Sequence, residues 1–205
     1  MAIYSPKLVY LHPPKTGGTY ITHLLRKTTK VTDLGHQHIN FPELYRIRKE
    51  EWFSDKYIFT TIRHPITWYQ SRWAFRIKTG WKAQHPLDFN CASNDFCTFV
   101  ENVLKYKPDG WFTHIMQGYT TLVPNGVDKV IRMEDGLSNG LLDVMDSLNI
   151  KYNKKMFDNM EKANASQSKK ARYTSELFDR VMKVESNIID RYYYNFGINP
   201  NDHIR

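Results

Sequence analysis

Apolar positions along this chain alternate between short solid runs and stretches spaced by three and four. Leu8-Val9-Tyr10-Leu11 and Tyr57-Ile58-Phe59 are runs of the first kind. Trp68, Ser71, Arg72 and Phe75 mark a helical face at i, i+3, i+4 and i+7. The pattern predicts strands near 7–12, 30–34, 57–62 and 127–132. It predicts helices near 18–28, 41–50, 66–79, 95–106, 136–148 and 175–195. Strands alternating with helices imply an α/β fold: three layers, with a central parallel sheet of four to five strands flanked by helices. Ligands in such folds bind at the carboxyl ends of the strands. Residues 80–125 hold aromatic residues, Pro86, Pro108 and Gly110, and no clear strand. That stretch is expected to lie over the carboxyl edge and shape a substrate pocket. With no repeat, low-complexity tract or linker, residues 1–205 read as one domain.

Composition narrows the class. The chain has 205 residues, 41% of them hydrophobic and 24% charged, ordinary for a water-facing globular domain. No run approaches the ~18 apolar residues of a membrane span, so no span is expected. Met1 to Lys7 has no secretory apolar region. Cys91 and Cys97 read as reduced thiols, and no Cys/His cluster has metal-ligand spacing, so no metal is expected. The net charge of +8 suits an anionic ligand. Its local concentrations are Lys151, Lys154 and Lys155, then Lys169, Lys170 and Arg172. Neither makes a nucleic-acid motif, so no nucleic-acid partner is expected. The pattern leaves the oligomeric state open.

Two segments carry candidate chemistry. Pro13-Pro14-Lys15-Thr16-Gly17-Gly18-Thr19 follows the first strand and opens the first helix. A strand, a glycine loop and a helix N-terminus converge backbone N–H groups on an anion, and Lys15 adds a full charge. The order differs from the nucleotide loop G-x-x-x-x-G-K-[ST], in which lysine follows the glycines. The second segment is Arg63-His64-Pro65, with Ser71 about two turns into the next helix. A strand-end guanidinium and a helix hydroxyl suit a second phosphate.

Together the segments resemble the sulfotransferases that use 3'-phosphoadenosine 5'-phosphosulfate (PAPS) and release 3'-phosphoadenosine 5'-phosphate (PAP). The resemblance implies a P-loop-like sulfotransferase fold of the carbohydrate type. It implies that Lys15, Thr16, Gly17, Gly18, Thr19 and Tyr20 line the 5'-phosphosulfate. It gives the 3'-phosphate to Arg63 and Ser71. Lys170 and Arg172, in the stretch Ala165 to Arg172, match the basic loop that closes over the nucleotide. Tyr20 stands where many members have a small hydroxyl residue, and Trp68 where many have a second arginine. Val127 to Glu134 resembles the family's late core strand. Animal Golgi members begin with a membrane anchor, so the start of this chain suggests a cytoplasmic bacterial or viral protein.

Sulfuryl transfer to a hydroxyl or amine needs a proton acceptor and charge stabilisation at the leaving phosphate. Lys15 serves the second need. For the first, Gly35-His36-Gln37-His38 follows the second predicted strand, and imidazole accepts protons near neutral pH. His36 matches a Gly-His pair used as base by some carbohydrate sulfotransferases. His38, two residues on, shares its side of an extended chain and is the other candidate, with Glu43 a distant third. His114 and Gln117 are candidates for the acceptor, as are the faces of Trp68, Trp73, Trp81 and Trp111, which suit a sugar ring. A small-molecule or saccharide acceptor is expected, with sugar, lipid, peptide and small phenol all open. Two rival classes stay open: a kinase-like phosphotransferase, and a nucleotide- or polyanion-binding module without catalysis.

Overall fold

The computed structural model describes residues 1–121, 126–158 and 171–205. Its five strands are β1 (Ile3–Tyr4), β2 (Leu8–Leu11), β3 (Thr32–Asp33), β4 (Tyr57–Ile62) and β5 (Lys129–Arg132). They form one sheet in the order β3-β1-β2-β4-β5. All four residues of β2 are buried, as a run without polar positions requires of a strand covered on both faces. β2 pairs parallel with β4, Leu11 opposite Thr60, and β4 pairs parallel with β5, Thr60 opposite Val130.

The sheet is mixed, which corrects the expected parallel one. β1 folds back onto β2 as an antiparallel hairpin. Ser5 makes the turn: its Oγ accepts from the N–H groups of Lys7 and Leu8, and its own N–H donates to the Leu8 carbonyl. A two-residue strand is too short to show a period. β1 is also antiparallel to β3, so β3 points the same way as β2 and β4. The carboxyl ends of β2, β3, β4 and β5 therefore share one edge.

The helices are α1 (Gly18–Thr28), α2 (Phe41–Ile47), α3 (Pro65–Thr79), α4 (Pro86–Cys91), α5 (Phe96–Tyr106), α6 (Trp111–Thr120), α7 (Leu137–Ser147), α8 (Lys155–Asp158), α9 (Ser175–Val184) and α10 (Ser186–Tyr192). Two compact units divide them. The first contains Met1–Arg63 and, from Ile115 on, β5, α7 and α8; the second contains His64–His114 and the C-terminal helices. In the first, α1 and α7 cover one face of the sheet, where Tyr10, Phe59 and Ile131 meet Leu24, Leu25 and Val144.

In the second unit, the stretch expected to hold no strand carries α4, the predicted α5 and the start of α6. The expected helix over 175–195 breaks at Glu185, between α9 and α10. The Glu185 side chain explains the break. Its carboxylate is fully buried and accepts from Tyr69 Oη (2.6 Å), the N–H groups of Phe112 (3.0 Å) and Thr113 (2.7 Å), and Thr113 Oγ1 (2.7 Å). Two of the four donors are backbone N–H groups in the first turn of α6, so the carboxylate caps that helix, a tertiary demand that competes with helix continuation.

Candidate active site

The glycine loop leaves β2 and turns into α1 with Lys15 in the left-handed region, at φ 65°, and Gly17 at φ 83° as the helix N-cap. A lysine rarely holds that conformation, which costs roughly 1–2 kcal/mol. Gly17 meets no such penalty. The loop is pinned from below by Thr16, which is fully buried. Its Oγ1 donates to the Pro13 carbonyl (2.9 Å) and pairs with Thr61 Oγ1 on β4 (2.8 Å). Thr61 Oγ1 pairs in turn with Tyr10 Oη on β2 (2.9 Å). A chain of three hydroxyls thus ties the loop to two parallel strands. The Thr16 side chain is spent inside the fold, leaving its backbone N–H as the group that can face an anion.

Lys15 follows the carboxyl end of β2 and Arg63 that of β4. Because these strands are parallel neighbours, both cations leave the same edge of the sheet, and both are half-buried. Thr19 is exposed, whereas Tyr20 is buried and hydrogen-bonds through its hydroxyl to Ser138 at the start of α7. Tyr20 therefore braces the loop against a neighbouring helix. In the second unit Ser71 is buried on α3. Arg172 there donates from Nη1 to the carbonyls of Asn201 (3.3 Å) and Asp202 (2.6 Å), so this guanidinium holds the C-terminal segment in place. Lys169 and Lys170 lie outside the described residues.

Both histidine candidates follow β3 and so reach the same edge. His36 is the more exposed: its Nε2 faces Glu43 Oε2 at 3.3 Å, and its side chain is 63% exposed. Glu43 itself closes a capping box with Asn40 at the start of α2. His38 is half-buried and held on two sides. Its Nδ1 lies 3.0 Å from the His12 carbonyl, and its own carbonyl accepts from Tyr119 Oη at 2.5 Å. A carbonyl only accepts, so Nδ1 carries the proton and Nε2 is the basic nitrogen of the neutral ring.

His12 carried no signal in the sequence. It is 3% exposed, and its ring stands edge-on to His38, with centroids 5.0 Å apart at 85°. A Cβ on Gly18 would fall 2.0 Å from His12 Cδ2, so this ring fills the space beneath the loop's second glycine. His12 Nδ1 lies 2.8 Å from the Met1 amino group. Burial first, then the charges of that amino group and of His38, push its pKa down to about 3. The imidazole is neutral at working pH.

The four tryptophan candidates all make ring contacts within the second unit, Trp111 with Tyr106 at 5.6 Å. In the second unit Trp68 is buried against Tyr69 and Phe112, Trp73 meets Phe96 and Trp81 meets Phe99. Among the described residues there is no group of three metal-ligating side chains, and no helix is long and apolar enough to cross a membrane. No family model, no curated protein and no solved structure matches the chain.

Proposed function

We propose that this chain is a PAPS-dependent sulfotransferase with a P-loop-like sulfotransferase fold. The observation that carries the reading is the shared edge. Lys15 and Arg63 follow two adjacent parallel strands, and the Thr16–Thr61 hydrogen bond holds the lysine loop to the arginine's strand. Two cationic sites at a fixed spacing suit a donor with a phosphate at each end of a nucleoside.

In this reading Lys15 and the loop N–H groups take the 5'-phosphosulfate, and Arg63 takes the 3'-phosphate, to which the resemblance adds Ser71. A hydroxyl of a small-molecule or saccharide acceptor attacks sulfur. The new O–S bond forms as the bond from sulfur to the 5'-phosphate oxygen breaks, and PAP leaves with the electron pair. Lys15 stabilises the charge that develops on that oxygen. The acceptor's proton passes to a histidine. The geometry favours His38 over His36, because its Nδ1 donates to the His12 carbonyl, whereas the Nε2 of His36 already faces Glu43.

Calorimetric titration with PAP and with adenosine 5'-phosphosulfate tests the assignment. Arg63→Ala should weaken PAP at least about tenfold, since hydrogen bonds to a charged partner are worth roughly 1.5–3 kcal/mol. It should leave adenosine 5'-phosphosulfate nearly untouched. Equal losses for the two ligands would remove Arg63 from the 3'-phosphate. Absence of PAP binding to the unaltered protein would end the sulfotransferase reading, and magnesium-dependent ATP consumption would replace it with phosphotransfer. PAP binding with no transfer of label from PAPS into a broad acceptor panel would leave a binding module.

A further inference from the structure

We propose that His12 is a positioning residue that couples occupancy of the glycine loop to the orientation of His38; this rests on the reading of the loop as an anion site and of His38 as the base. His12 touches both. The ring lies against Gly18, the residue that opens α1, with Nε2 2.2 Å from where a Cβ would stand. The same residue offers its carbonyl to His38 Nδ1 and the edge of its ring to His38's ring. Behind it, Tyr10 stacks on His12 at 5.9 Å and 24°, and Tyr10 belongs to the hydroxyl chain that pins the loop.

The coupling is mechanical. A phosphate drawn onto the N–H groups of Gly18 and Thr19 pulls on the backbone that lies over the His12 ring. In a close-packed interior that ring cannot shift alone. Any displacement reaches His38 through the edge contact and the hydrogen bond at the His12 carbonyl. Being neutral, His12 does this without opposing proton uptake by His38, as a cation in its place would. Donor binding then sets the angle at which Nε2 meets the acceptor's proton, and a base held to a narrow angle is worth far more than a mobile one.

Imidazole 15N–1H NMR on the full chain is the test, with PAP as the probe. In the unaltered protein His38 should show the Nδ1–H tautomer, and its ring resonances should move as PAP is added. In His12→Ala and in His12→Gln, which remove the ring that lies between Gly18 and His38, the PAP-induced movement should shrink at least about threefold. The two variants are independent, so either alone carries the test if the other does not fold. Movement of His38 that persists undiminished in a folded variant that binds PAP overturns the inference and leaves the sulfotransferase reading standing. So does an unaltered protein that binds PAP with no response at His38. If PAP does not bind the unaltered protein, the sulfotransferase reading fails, and the coupling proposed on it falls as well.

Discussion

Gly18 has no side chain because His12 occupies the place where one would begin. Gly18→Ala should therefore cost about 1–3 kcal/mol, the range for overpacking a filled interior. The same change in a His12→Ala background should cost less, because the obstructing ring is gone. Urea denaturation of the four proteins in that cycle checks this, and simple additivity would show that the clash is absorbed elsewhere. Much of this loop was legible from residue spacing. Lys15, Gly17 and Gly18 announce a backbone cradle, and Arg63 before Pro65 announces a strand end. His12 was not legible, since its place depends on a ring, a glycine and a loop brought together from positions 12, 18 and 38. Thr16 and Tyr20 are similar cases. Their hydroxyls bond within the fold, to Thr61 and Ser138, partners far away in the chain.

At the scale of elements, α3 offers a test through its cap. His64 precedes Pro65 and accepts from the Ile66 N–H through Nδ1 at 3.3 Å, with Tyr193 edge-on at 4.9 Å. Burial first, then the charge of His203, pushes its pKa from 6.5 down to about 4. The folded-state value lies below the unfolded one, so the unfolded chain takes up the proton first as pH falls. The contribution is intact above pH 6.5 and erodes between 6.5 and about 4, by up to about 1.4 kcal/mol per pH unit. His12 adds to the same trend. Urea midpoints should fall across that window, and His64→Asn, which keeps a capping oxygen, should flatten the fall. An equally steep fall in the variant would assign the titration to another group. Long periodic segments such as α1, α3, α5 and α7 were legible to within a residue or so of their ends. The break at Glu185 was not, because its cause lies in Tyr69, Phe112 and Thr113, far away in the chain.

For the whole molecule, the net charge of +8 gives a kinetic expectation. A polyanionic ligand is drawn in by a field that salt shortens, with a Debye length of about 30 Å at 0.01 M and about 8 Å at 0.15 M. On the proposed sulfotransferase reading, stopped-flow association of PAP should slow several-fold between those ionic strengths, with a smaller change in dissociation. A salt-independent association rate would mean that the excess charge lies away from the entrance. The α/β class was readable from alternation alone. The direction of β1 was not, because two residues and a serine turn carry no period. The sheet has one more consequence, for the chain as it is made. Asp128, beside β5, receives the Ile58 N–H through Oδ2 across 70 residues, so β4 leaves the ribosome long before the strand that covers its outer side. At about 5–20 residues per second, the edge of Tyr57–Ile62 stays open on the nascent chain for on the order of ten seconds. That apolar, β-branched edge is where chaperones would be needed and where overexpression would first produce inclusion bodies.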